Sequence, residues 1–297
     1  MPAETSVSIE PRGPFTLASA ARFIAGWPPA SRGDRELGDE VVRLGFLVDD
    51  WSGHAGVVLR QGGDGMVRGE IAESGAADPA RAWAQAARIL SLDHDATGYA
   101  ALGERDPVVG ELQRASRWLR PVLFHSPYEA ACWAAISARL RQPVAARVRD
   151  RLAAEHAGAV RVEGTEFTTF PAPQALLAVS SAEGLPQEKL RRLHAIAGAA
   201  LEGRLDRDRL LALDSGQAIE ELRKLPGIGP FYSHLILLRA VGPTDVLTLG
   251  EPRLRAAAAA RYDAPDVVSN DDAFLALAER WRPFRTWVGV LLRASEP

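Results

Sequence analysis

The stretch Leu225-Pro226-Gly227-Ile228-Gly229-Pro230-Phe231 decides how this chain is read. One apolar, helix-like run ends at Leu222 and Leu225, and a second, Phe231 to Val241, begins at once. Two glycines two apart permit a very tight turn, because glycine takes positive φ at little cost. The turn leaves bare N–H groups at the start of the second helix, where the helix dipole favours an anion such as a phosphate. A plain helical hairpin is the other reading of these residues. The rest of the chain has to choose between them.

The chain has 297 residues, 47% hydrophobic and 25% charged. That is enough for one large or two ordinary domains with a real core. No apolar run approaches the ~20 residues that span a bilayer. Residues 1–11 read as a loose tail without a signal pattern. The single cysteine, Cys132, excludes a disulfide framework, a Cys-rich zinc site and a four-Cys iron–sulfur cluster. Cytoplasmic residence is the expectation. The net charge of −3 neither supports nor forbids nucleic-acid binding. Residues 1–120 carry 13 arginines against 17 acidic groups, and the remainder carries 22 basic against 21 acidic. Lys189 and Lys224 are the only lysines.

Strand signals come first. Phe15 to Leu17, Glu40 to Val48, His54 to Arg60 and Met66 to Ile71 are rich in β-branched and apolar residues. Gly62-Gly63-Asp64-Gly65 reads as a hairpin turn rather than a phosphate loop, since no helix follows it. Ala18 to Ile24 reads as a short helix that ends before Gly26-Trp27-Pro28-Pro29. Pro79 opens a helix over Ala80 to Leu90. After Asp106-Pro107 the strand signal disappears. Ser126-Pro127-Tyr128-Glu129 has the cap, first-position proline and third-position glutamate of a helix start. Helices are predicted over Val108–Trp118, Tyr128–Leu140, Val144–His156, Gln174–Val179, Glu188–Glu202, Arg207–Leu211, Ser215–Leu225, Pro252–Arg261, Asp271–Arg280 and Phe284–Ala294. The predicted class is α+β. A small α+β domain with an antiparallel sheet occupies residues 12–106, and an all-α domain occupies 107–297.

The helical half resembles the helix-hairpin-helix DNA glycosylases, most of all the 3-methyladenine DNA glycosylase II type. The carrying residues are Leu225 to Gly229, Ala240 to Val246, and Ala278-Glu279-Arg280-Trp281-Arg282-Pro283-Phe284-Arg285-Thr286-Trp287. The resemblance implies a monofunctional hydrolase of base excision repair that acts on damaged double-stranded DNA as a monomer, without an organic cofactor. A modified purine is flipped from the duplex into a pocket. A wedge side chain fills the gap, and aromatic residues hold the base. A carboxylate stabilises the positive charge that develops on the sugar.

Carried onto this chain, the resemblance gives Gly227, Ile228 and Gly229 the phosphate clamp. It also implies a monovalent cation held by hairpin carbonyls such as those of Leu225 and Gly227. Phe231 stands where relatives with lyase activity place an imine-forming lysine, so water is the expected nucleophile. Phe231 and Tyr232 belong to the base pocket or to the core. The family's catalytic aspartate falls on Glu251, which keeps the charge and adds a methylene. Glu251 with Pro252 also suits a plain helix start. Asp245 is the fallback carboxylate, with a loop or capping role as its other reading.

The wedge segment falls on Ser137 to Gln142, with Arg139 or Leu140 as intercalator and Arg141 beside it. Arg139, Arg141, Arg147, Arg149 and Arg151 fit phosphates or a solvated helix face. Trp133 and Trp287 are pocket candidates, Trp133 with core packing as its other reading. Arg293 falls near an expected aromatic pocket position, and a guanidinium there would repel a cationic base. His125, His156, His194 and His234 lack metal-ligand spacing. The rival reading is a catalytically impaired DNA-damage-binding protein of the same fold.

Overall fold

The computed structural model describes residues 6–27 and 41–295. Pro28-Pro29, Glu40 and the first five residues of the expected tail lie outside the described residues. The chain runs β1 (Ser6–Ile9), α1 (Leu17–Gly26), β2 (Val41–Leu47), β3 (His54–Gln61), β4 (Val67–Glu73), α2 (Pro79–Ile89), α3 (Thr97–Arg105) and α4 (Pro107–Ala115). It continues through α5 (Pro127–Ser137), α6 (Gln142–His156), β5 (Ala159–Val162), β6 (Thr165–Thr168), α7 (Pro173–Leu177), α8 (Gln187–Leu201), α9 (Arg207–Ala212) and α10 (Ser215–Arg223). Then come α11 (Pro230–Ile236), α12 (Pro252–Tyr262), α13 (Asp271–Glu279) and α14 (Arg285–Ala294).

Strands β1 to β4 form an antiparallel sheet in the order β1-β4-β3-β2. Leu17 and Ala20 of α1 and Ala82, Ala86 and Ile89 of α2 share one core with Leu44, Phe46, Val57 and Leu59. The opposite face is covered too. Val58 joins Val160, Val162 and Phe167 of the β5–β6 hairpin in a separate cluster. Gly45 and Gly56 sit opposite each other on β2 and β3. A Cβ at Gly45 would collide with Phe167, and one at Gly56 would stand 2.7 Å from Val162 Cγ2. Glycine in a strand interior marks such a close approach. Burial on both faces explains why β2 and β3 read as near-continuous apolar runs.

Three expectations need correction. Residues Ser6 to Ile9 are the edge strand paired with Val67–Glu70, not part of a loose tail. Phe15 and Thr16 are irregular and Leu17 begins α1, because the apolar residues there recur at helical spacing. The region 107–297 is not all-helical, since it contains β5 and β6. Their four-residue length gave little periodic signal, although Glu163 and Gly164, both at positive φ, mark the turn.

The helices gather into two further clusters. One is built on α5, α8, α10 and α11, with Trp133, Leu193, Ile196, Leu222 and Ile228 among its residues. The other joins Tyr99 and Leu102 of α3 to Leu254, Phe274, Trp281 and Trp287 near the C-terminus. Among the described residues no helix is long and apolar enough to cross a membrane.

Candidate active site and nucleic-acid interface

Leu225 and Ile228 are buried and pin the hairpin to the core. Gly227 turns the chain at φ 84°. Gly229 caps α11 in an extended conformation, and the position its Cβ would take is open. The helix then changes winding. Leu237 to Val241 form a π-helical segment, closed by Gly242 at φ 83°. Leu238 and Arg239 on that segment line a cavity of about 570 Å³.

The other walls come from distant elements. Phe23 and Trp27 arrive from α1 and its end, and Gln142 from the start of α6. Phe231 and His234 arrive from α11, Leu247, Thr248, Gly250 and Glu251 from the loop before α12, and Arg285, Gly289 and Arg293 from α14. Among the described residues Glu251 is the only carboxylate on the wall, facing a lining that includes Arg239, Arg253, Arg285 and Arg293. Glu251 is half-buried and caps α12 by accepting the Arg253 N–H at 3.2 Å. Glu251 therefore both starts a helix and faces the cavity.

Arg239 is half-buried. Its guanidinium lies 4.1 Å from the Trp27 ring centre and 5.2 Å from Phe23. Nη2 donates to Val122 O at 2.7 Å. Burial pulls its pKa down to about 9. An arginine inside the apolar run Leu235 to Val241 was the available sequence signal for this residue. Phe23 and Trp27 gave no signal beyond an aromatic pair at i, i+4, since sequence does not say what such a pair faces.

Asp245 is engaged elsewhere. Arg285 donates from Nε to Oδ1 at 2.8 Å and from Nη2 to the Asp245 carbonyl at 2.8 Å. Arg282 pairs with the other carboxylate oxygen at 2.8 Å. Thr286 N donates to Thr244 O at 3.0 Å, and Thr286 Oγ1 exchanges hydrogen bonds of 2.9 Å with the Val246 backbone. The Trp-Arg-Pro-Phe-Arg string thus ties down the loop that presents Glu251. Trp281 Nε1 donates to Tyr262 OH at 2.9 Å, whose proton goes to buried Asp106 at 3.1 Å.

Several expected pocket residues lie elsewhere. Trp133 is core, with the Arg149 guanidinium 5.6 Å from its ring. Trp287 is buried against Tyr99, Phe284 and Arg120. Both are large apolar rings, and burial in a core satisfies them as well as a pocket does. Tyr232 packs edge-on against Phe231 and places its hydroxyl 3.3 Å from Ser137 Oγ. Phe231 does reach the cavity and is 55% exposed.

The wedge segment is a tight turn between α5 and α6. Arg139 has φ 61°, and Leu140 N donates to Ser137 O at 2.9 Å. Arg139 and Arg141 are exposed, as is Leu140 at 37%. Arg147 is exposed, and Arg151 pairs with Glu183 at 2.6 Å. Arg149 is buried and bonded to Asp150, so it is not part of a phosphate-facing row. Among the described residues no group of His, Cys, Asp and Glu side chains is arranged to hold a metal.

The architecture matches a solved structure of a 3-methyladenine DNA-glycosylase from Archaeoglobus fulgidus, with a TM-score of 0.73 at 19% identity over 96% of this chain and 97% of that one. No protein-family model matches the chain. Sequence similarity points the same way. The chain is 21% identical over 156 residues to a DNA-3-methyladenine glycosylase of Bacillus subtilis, covering 51% of this chain and 52% of that protein. In fold and in sequence the chain is thus similar to 3-methyladenine DNA glycosylases. It is also 27% identical over 218 residues to a Mycobacterium tuberculosis protein named probable bifunctional transcriptional activator/DNA repair enzyme AlkA, covering 69% of this chain and 41% of that one. The chain spans about half the length of the first relative and less of the second.

Proposed function

We propose that the chain is a monofunctional DNA glycosylase that flips alkylated or otherwise modified purines from duplex DNA and hydrolyses their N-glycosidic bond. The observation that carries this reading is Glu251 on the wall of the 570 Å³ cavity beside the hairpin. A carboxylate there stabilises the cationic sugar and orients the water that adds to it. Phe23, Trp27 and Phe231 supply the aromatic surface for the base. Water serves as nucleophile because Phe231 occupies the position of the imine-forming lysine.

Gly227 and Gly229 let the backbone approach a phosphate. Leu140 is the apolar wedge, with Arg139 at the tip of its turn and Arg141 beside it on phosphate. A monovalent cation at the hairpin fits this arrangement. The Leu225 carbonyl accepts the Ile228 N–H at 3.1 Å and has a second lone pair to offer. Bound there, the cation adds positive charge beside the phosphate. An α+β domain to residue 106 followed by the helical domain, a monomeric state and a cytoplasmic setting belong to the same reading.

The test is single-turnover base release from duplexes carrying 3-methyladenine, 7-methylguanine, 1,N6-ethenoadenine or hypoxanthine. Wild type releases base, and Glu251→Gln is slower by about 10²–10³-fold, the range for losing one transition-state charge contact. Release that survives in Glu251→Gln overturns the assignment. Lesion-dependent binding without release by wild type favours the damage-binding protein instead.

A further inference from the structure

The hairpin and the turn after α5 are far apart in sequence, yet one face of α8 touches both. Lys189, in the first turn of α8, donates from Nζ to Ile136 O at 2.6 Å and to Ala138 O at 2.8 Å. These carbonyls flank Ser137, the last residue of α5. Three residues on, Arg192 lies against the hairpin. A Cβ at Gly227 would stand 2.7 Å from its Nη1 and 2.9 Å from its Cδ. Glu188 pairs with Arg192. Residues at i and i+3 share a helix face, so Lys189 and Arg192 project together. A third tie is the 3.3 Å contact between Ser137 Oγ and Tyr232 OH on α11.

The end of α5 that Lys189 holds leads into the wedge turn. Arg139 there adopts the left-handed region, which a side chain with a Cβ disfavours and which persists only when its surroundings enforce it. A lysine at a helix C-terminus often does no more than cap carbonyls. Here burial holds the Lys189 pKa below the ordinary lysine value, and the bonds fall where the strained turn begins.

We propose that Lys189 and Arg192 are positioning residues that hold the wedge turn and the hairpin glycines in fixed register, with α8 as the common ruler. Capture of the phosphate and filling of the gap are thereby set at one distance. The inference rests on the DNA reading above, and its test separates the two.

The full chain is compared with Lys189→Met, Lys189→Arg and Arg192→Gln. The probe is a duplex with 2-aminopurine beside a tetrahydrofuran abasic site, whose fluorescence rises when its stack is broken. Thermal unfolding and affinity for undamaged duplex are measured alongside. Lys189→Met keeps its fold and its affinity for undamaged duplex, while the fluorescence rise and single-turnover release fall on the order of tenfold, as a displaced positioning contact does. Lys189→Arg, which keeps the donors, restores both. Adding Arg139→Gly to Lys189→Met recovers part of the rise, because glycine holds positive φ unaided. Should Lys189→Met not fold, Arg192→Gln carries the same expectation. A wild-type rise in both variants overturns the inference, even where base release secures the enzyme reading. Loss of the rise in the variants, with no release by wild type from any lesion, removes the catalytic reading and keeps this one. A wild type that gives no rise overturns it as well.

Discussion

Arg120 shows what a buried charge does in this chain. It is 1% exposed and donates to the carbonyls of Arg12 at 2.8 Å, Gly13 at 3.0 Å, Pro14 at 3.1 Å and Ser91 at 3.1 Å. Its guanidinium also lies 5.6 Å from the rings of Phe15 and Trp287. Burial lowers its pKa to about 10, which still leaves it charged at neutral pH. A carbonyl stripped of its donor costs about 1–3 kcal/mol. Arg120→Met is expected to lower unfolding free energy by about 3 kcal/mol, with part of the loss offset by the charge no longer buried. Urea unfolding at pH 7 measures it. The sequence shows an arginine before Pro121 and nothing of this role, because three of its four acceptors come from a segment about a hundred residues away. Glu251 is the opposite case. Its position follows by counting from Gly229, and its cap was readable from Pro252 beside it.

At the scale of elements, the docking of β5–β6 on the sheet is the feature with a titratable group at its centre. Thr169 Oγ1 donates to Gly158 O at 2.9 Å, so His54 Nδ1–H donates to Thr169 Oγ1 at 2.7 Å. Burial holds the His54 pKa below the ordinary imidazole value. A depressed pKa means that the unfolded chain takes the proton first. The stability linked to His54 is present above about pH 6.5 and is lost as pH falls through the folded value. The melting temperature is expected to drop as pH falls from about 7 to 5, and the drop to be smaller in His54→Asn. His94, shifted down by burial as well, keeps part of the slope. An equal drop in the variant would remove His54 from the account. Gly45 and Gly56 were visible in the sequence as glycines within strands, but the hairpin they admit comes from residues 159–168 and has no local counterpart.

For the whole molecule, charge is where local and global readings part. The net charge of −3 opposes a polyanion, so binding has to come from a face rather than from the total. Arg139 and Arg141 stand exposed on the turn beside the cavity that Gln142 lines. If that face meets the duplex, affinity falls with salt, with a slope near −0.9 per phosphate contact. Arg141→Gln should weaken damaged and undamaged duplex alike and reduce the slope by about one. Fluorescence anisotropy at several salt concentrations measures it, and an unchanged slope places Arg141 off the DNA. The cavity has the same whole-molecule character. Phe23 and Trp27 reach it from the N-terminal segment, while Glu251 and Arg293 reach it from the C-terminal one.

The sequence by itself determined the hairpin, most helix boundaries, the antiparallel sheet with its Gly62–Gly65 turn, and the helix start at Glu251-Pro252. Each of these is written in neighbouring residues: a glycine pair, a proline at a helix start, an apolar repeat. Only the tertiary structure decided that Trp133 and Trp287 are core, that Arg149 is buried, and that Asp245 is clamped by Arg282 and Arg285. It also decided that Phe23, Trp27 and Arg239 wall the cavity and that α8 bridges two distant turns. A large ring or a guanidinium serves equally in a core, a pocket or a surface. Which of these it joins depends on what the rest of the chain brings against it.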